Sequence, residues 1–171
     1  MSSIFLNSEC ATKSDRKRFG LYDDPSPAQN KAYLKENEGE TWIAVVHNDL
    51  RTEITFTAVD NCIDIYREDG KMEKRCDGFL SFETTIIFVE LKQREDINNK
   101  WVIEAEEQLK ATISNFEKEE EAARFDDKKA YISNSMRPKF KSSQSERMER
   151  FSKSTGYILR IENTIKLHQQ F

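Results

Sequence analysis

Histidine and cysteine are scarce in this chain, at two and three of 171 residues. Cys10, Cys62 and Cys76 are widely spaced, form no Cys-x-x-Cys pair and have neither His47 nor His168 nearby. That pattern argues against a zinc site and predicts reduced thiols in a cytoplasmic protein. No apolar run approaches the roughly 18 residues of a membrane span, so no membrane association is expected. Residues 1–6 lack the basic start of a signal peptide. There is no Gly-rich phosphate loop, no Ser/His/Asp set with usable spacing and no aromatic–basic interleaving of the RNA-binding kind. Internal repeats, low-complexity tracts and an appended sequence-reading module are also missing.

What the chain does have is charge. The net charge of −4 conceals an asymmetry. Residues 1–127 carry 17 Lys and Arg against 28 Asp and Glu, whereas residues 128–171 carry 10 against 3. An acidic body with a basic C-terminal quarter argues against strong non-specific DNA binding and is compatible with phosphate contacts on one face. A solvated basic surface balancing the acidic part explains it equally well. The length suits one domain, residues 1–171, with an N-terminal arm over 1–26 and a core over about 41–165.

Periodicity predicts the elements. Asp23-Asp24-Pro25-Ser26-Pro27 reads as a turn and helix start, with a helix over 28–38 closed by Gly39. The apolar run 42–47 fits a strand or a helix end. Residues 53–59 alternate as a strand, continued over 62–66. Glu68-Asp69-Gly70-Lys71 carries the Asp-Gly hairpin signal, and residues 71–82 return as a strand. Thr84 to Leu91 is β-branched and aromatic, which suits a buried strand over 85–92. An amphipathic helix is expected over 101–125 and a strand over 128–132. A short helix over 143–153 and a strand over 156–165 close the chain. This order predicts an α/β (α+β) fold with a central mixed β-sheet of four to six strands flanked by helices.

The strand over 85–92 ends in Glu90-Leu91-Lys92, the one Glu-x-Lys in the sequence. Alternation puts Glu90 and Lys92 on one face, about 7 Å apart along the strand. Asp77 lies thirteen residues before Glu90. A hairpin of 77–82 with 85–92 would bring two carboxylates and an ammonium together, an arrangement costly in a sheet interior without a task. Asp77 followed by Glu90-x-Lys92 at the end of a hydrophobic strand resembles the PD-(D/E)xK nuclease superfamily, over roughly residues 53–133. Cys76 stands where the name-giving proline would be.

The resemblance implies a restriction-endonuclease-like core and metal-dependent hydrolysis of phosphodiester bonds, in DNA ahead of RNA. It implies Mg²⁺ or Mn²⁺ held by Asp77, Glu90 and the Leu91 backbone carbonyl, with Lys92 assisting the attacking water. A further acidic residue is expected from Glu53, with Asp60 and Asp64 behind it, and Gln108 could reach the site. Gln93, Arg137, Lys139, Lys141, Arg147 and Arg150 are the candidate nucleic-acid contacts. A protein partner or a homodimer would supply specificity. The alternatives are a catalytically silent binding or regulatory module of the same fold, or a nuclease acting on RNA.

Overall fold

The computed structural model describes residues 3–25, 27–38, 41–95, 99–136, 138, 140 and 143–168. Its centre is a six-stranded sheet in the order β1 (Ala11–Ser14), β5 (Ile54–Ala58), β6 (Gly78–Phe82), β7 (Thr85–Lys92), β8 (Asp127–Asn134), β9 (Ile158–Ile161). Pairing is antiparallel from β1 to β7 and parallel across β7, β8 and β9. One face carries α1 (Lys100–Phe116) and α2 (Ser145–Thr155). A second, four-stranded sheet joins β10 (Thr164–Lys166), β4 (Ala44–His47), β2 (Arg18–Tyr22) and β3 (Tyr33–Lys35), in that order. The fold is therefore mixed α/β, and among the described residues no helix is long and apolar enough to cross a membrane.

Side-chain alternation divides the core in two. Phe79, Ile86, Phe88, Ala130 and Ile132 pack with Val102, Ala105, Leu109, Ile113 and Phe116 of α1 and with Phe151 of α2. From the opposite face Ile54, Phe56, Leu80, Ile87 and Val89 meet Phe19, Leu21, Val46 and Ile165 of the second sheet. The middle strands are thus covered on both sides, which is why 85–92 reads as a continuous apolar run rather than an alternating one. The hairpin between β6 and β7 turns at Glu83, whose φ is +50°.

Several expectations are corrected. Residues 28–38 hold no helix: β3 pairs with β2 through Leu21↔Leu34 and Tyr22↔Tyr33. A short helix gains little without an apolar face to bury, and strand pairing with a formed neighbour wins. The proposed cap Ser26 and stop Gly39 lie outside the described residues. The N-terminal stretch is no arm, since β1 edges the central sheet and β2 lies inside the second sheet with Phe19 and Leu21 buried. Strands of four or five residues offer too few repeats for alternation to be noticed. Cys10 and Cys62 are not reduced thiols but a disulfide with a Cα–Cα distance of 6.0 Å. Cys10 precedes β1 and Cys62 follows β5, and the antiparallel pairing of those strands brings the two together across 52 residues.

Residues 62–66 form a loop, and the return strand begins only at Gly78; Tyr66 and Met72 make an isolated bridge around the predicted turn. The helix expected over 101–125 stops at Phe116, and a 3₁₀ turn covers Glu120–Arg124. The closing strand is two strands, β9 and β10, which belong to different sheets.

Gly78 occupies a tight place: a Cβ built there falls 2.6 Å from both the Phe56 ring and the Thr57 carbonyl oxygen. Gly78→Ala is expected to cost about 1–3 kcal/mol, read as a lower urea midpoint at unchanged slope. Thiol titration of the denatured, unreduced chain should find one reactive cysteine, Cys76, and three after reduction.

Candidate active site

The β6–β7 register pairs Gly78 with Val89, so Asp77 stands opposite Glu90 where the ladder ends. The backbone N–H of Asp77 donates to Glu90 Oε1 at 3.0 Å, and that of Leu91 donates to Asp77 Oδ2 at 2.7 Å. Each carboxylate is held by the other strand's main chain. Glu90 shares the helix-side face with Phe88, and Lys92 follows on that face. Lys92 Nζ lies 3.1 Å from Glu90 Oε2 and donates to Gln108 Oε1 of α1 at 3.1 Å. The Gln108 amide donates in turn to the Arg75 carbonyl at 3.4 Å. Asp77, Glu90, Lys92 and Gln108 are therefore brought together.

Burial dominates the electrostatics. Asp77 is 5% exposed and Glu90 2%. Loss of hydration pushes the Asp77 carboxyl well above the usual range; the neighbouring Glu90 charge adds to this, and the Leu91 N–H and Lys92 oppose it. Glu90 is raised by burial, with Lys92 and the Asp77 hydrogen bonds working the other way.

Sequence reasoning missed Asp23. It follows β2, and its carboxyl is raised to about 7, first by burial and then by the charges of Asp77 and Asp60. Its backbone carbonyl accepts from Gln93 Nε2 at 3.2 Å. Gln93, expected to face a phosphate, instead ties the second sheet to the end of β7. In the sequence Asp23 reads as part of a helix start, and local spacing holds no sign that the second sheet delivers it to Asp77.

Glu53 is not the third carboxylate. It is exposed and pairs with Lys13 at 3.2 Å. In the antiparallel β5–β6 pair it is Ala58 that meets Gly78, which leaves Glu53 about 16 Å away along the strand. Asp60, raised by burial, is 3.2 Å from Arg75, and the exposed Asp64 is 3.6 Å from the same guanidinium. Arg147 donates to Glu106 at 2.7 Å and so fastens α2 to α1 rather than facing solvent as a phosphate contact. Arg150 is exposed on α2. Arg137, Lys139 and Lys141 lie outside the described residues.

Lys92 and Gln108 open onto a cavity of about 400 Å³ that Asp60, Lys74, Arg75 and Glu107 also line. A cavity of about 460 Å³ beside Trp101 and Phe140 contains none of these groups. Among the described residues no group of three or more His, Cys, Asp or Glu side chains is arranged to hold a metal ion; the buried Asp77–Glu90 pair offers two carboxylates.

Comparison of the chain with protein-family models, with curated proteins and with solved structures finds no match. The resemblance to the PD-(D/E)xK superfamily therefore rests on the motif, and the site is argued from its own geometry.

A carboxyl whose pKa is raised on folding stabilises the folded state while protonated, and that stability is lost as pH climbs through the raised value. Without metal, stability should fall between about pH 4 and 7, the interval from an ordinary carboxyl to the raised Asp23. Asp23→Asn should flatten that fall and raise Tm at pH 7.5. Thermal unfolding in EDTA across this range checks it, and a lower Tm for Asp23→Asn would contradict it.

Proposed function

We propose that this chain is a divalent-metal-dependent phosphodiesterase acting on nucleic acid, with DNA the first substrate to test and RNA the second. The observation that carries the reading is the buried, mutually repelling pair Asp77 and Glu90 with Lys92 on Glu90. Evolving sequences discard such a costly cluster unless it does something. Hard carboxylate oxygens suit Mg²⁺ or Mn²⁺, and positive charge between Asp77 and Glu90 would offset the burial that raises both and the Glu90 charge that raises Asp77 further. Asp77, Glu90 and the Leu91 carbonyl are the groups that would hold the ion. When bound, it supplies Lewis-acid polarisation of the phosphate and a more acidic water.

The chain's own residues do the rest. Gln108 holds the Lys92 ammonium at the cavity, where it can donate to a non-bridging phosphate oxygen or orient the attacking water. The backbone N–H groups of Asp77 and Leu91 keep the two carboxylates facing each other. The succession β5–β6–β7–α1–β8, with β7 and β8 parallel, supports the reading because the resemblance implies such a core.

The second reading, a silent module of the same fold, draws on the closure of the cluster by internal bonds, since Glu90 is engaged by both Asp77 N–H and Lys92. A cytoplasmic setting belongs to the proposal too, although the Cys10–Cys62 bridge is of a kind that oxidising compartments favour.

Linear, supercoiled and single-stranded DNA and RNA, incubated with Mg²⁺ or Mn²⁺, decide between these readings. Cutting is expected, with Asp77→Asn and Lys92→Ala each losing at least about 100-fold. No cutting, together with no heat on titrating either ion into the wild type, would leave the silent module.

A further inference from the structure

Three cations from two separate segments lie against one face of α1, each on its own acceptor. Arg94 is 3.7 Å from Glu104, Lys74 is 2.6 Å from Glu107, and Lys92 donates to Gln108 at 3.1 Å. Positions 107 and 108 follow 104 by three and four residues, so each is a neighbour of Glu104 about 5–6 Å away. The cavity at Lys92 is lined by all three acceptors and by Lys74.

The arrangement is held in place by the main chain on both sides. Asn134, 3% exposed, accepts from the Arg94 N–H at 3.2 Å and donates to the Arg94 carbonyl at 2.9 Å. Before β6, the Cys76 N–H donates to Thr112 at 2.8 Å and the Arg75 carbonyl accepts from Gln108, which lays the segment bearing Lys74 along the helix. The pairs themselves are solvent-exposed, at 59% and 52% for Lys74–Glu107 and 40% and 41% for Arg94–Glu104. Pairs this wet contribute little to folding and exchange readily for another anion.

Resting on the phosphodiesterase reading, we infer that this face of α1 is the track of a single nucleic-acid strand, whose phosphates take Lys74 and Arg94 from Glu107 and Glu104 next to the scissile bond at Lys92. The two glutamates keep the cations in place until the strand arrives, and they weaken its binding by repulsion. A single strand fits better than a duplex because the surroundings are acidic. Asp60, Glu73, Glu104 and Glu107 all line the same cavity. A second strand's phosphates would face carboxylates.

Fluorescence anisotropy of a short labelled oligonucleotide, as a single strand and as the matching duplex, tests this with the full chain in EDTA, where nothing is cut. The single strand should bind more tightly than the duplex. Lys74→Ala and Arg94→Ala should each weaken single-strand binding about three- to tenfold and lower the slope against log salt by about 0.7. Glu107→Gln should tighten it, while Lys153→Ala on α2 serves as the control. Equal or tighter duplex binding overturns the inference, as do alanine variants that keep wild-type affinity and slope, or a wild type that does not bind. Unchanged Tm values establish that the variants fold. A wild type that cuts nothing and takes up no heat with Mg²⁺ or Mn²⁺, yet prefers the single strand in EDTA and loses it in Lys74→Ala and Arg94→Ala, refutes the hydrolytic reading and upholds the strand track. A wild type that cuts while Lys74→Ala and Arg94→Ala bind unchanged does the reverse.

Discussion

Antiparallel pairing of β6 with β7 sets Asp77 against Glu90, and the arrangement around them depends on that register. A slip of one residue would turn Glu90 toward the second sheet and exchange the side chains that β7 presents to its two apolar layers. The register is held from both sides. Phe79 and Phe88 face the helices while Leu80 and Ile87 face the second sheet, so each cross-strand pair keeps both members on one face. Gly78, pressed against Phe56 and the Thr57 carbonyl, lets β5 close onto β6 beside Asp77.

Such a frame is needed because the cluster inside it is unfavourable. Two buried carboxylates with a third nearby cost hydration and repel one another. Main-chain N–H groups and the Lys92 ammonium offset part of this. The second sheet adds to the strain through Asp23, while Gln93 pins that same residue in place. Apolar packing above and below supplies the stability that the polar centre withdraws, the usual balance at sites kept for chemistry.

Helix α1 serves two purposes through its 3.6-residue period. Val102, Ala105, Leu109, Ile113 and Phe116 form the stripe that packs on the sheet. Gln108 flanks that stripe and meets Lys92, while Glu104 and Glu107 lie further round toward solvent and meet Arg94 and Lys74. Packing of the stripe thus sets where the polar edge falls, and any shift of the helix on the sheet would move Gln108 relative to Lys92.

Local chemistry was readable in the chain. The mixed α/β class, the span of β7, the amphipathic stripe of α1 and the shared face of Glu90 and Lys92 follow from periods of two and 3.6, which are properties of neighbouring residues. Asp77 was within reach of the same reasoning because a short hairpin joins it to Glu90. Long-range pairing decided the rest. Strand β3 formed where a helix was expected because β2 lay beside it, and Cys10 met Cys62 because β1 pairs with β5. Glu53 went to the far end of β5 and Asp23 came to Asp77, 54 residues away in sequence, through the packing of the second sheet. Periodicity tells which face a side chain takes; which segments then share that space depends on burying apolar surface across the whole fold, and no window of neighbouring residues contains that information.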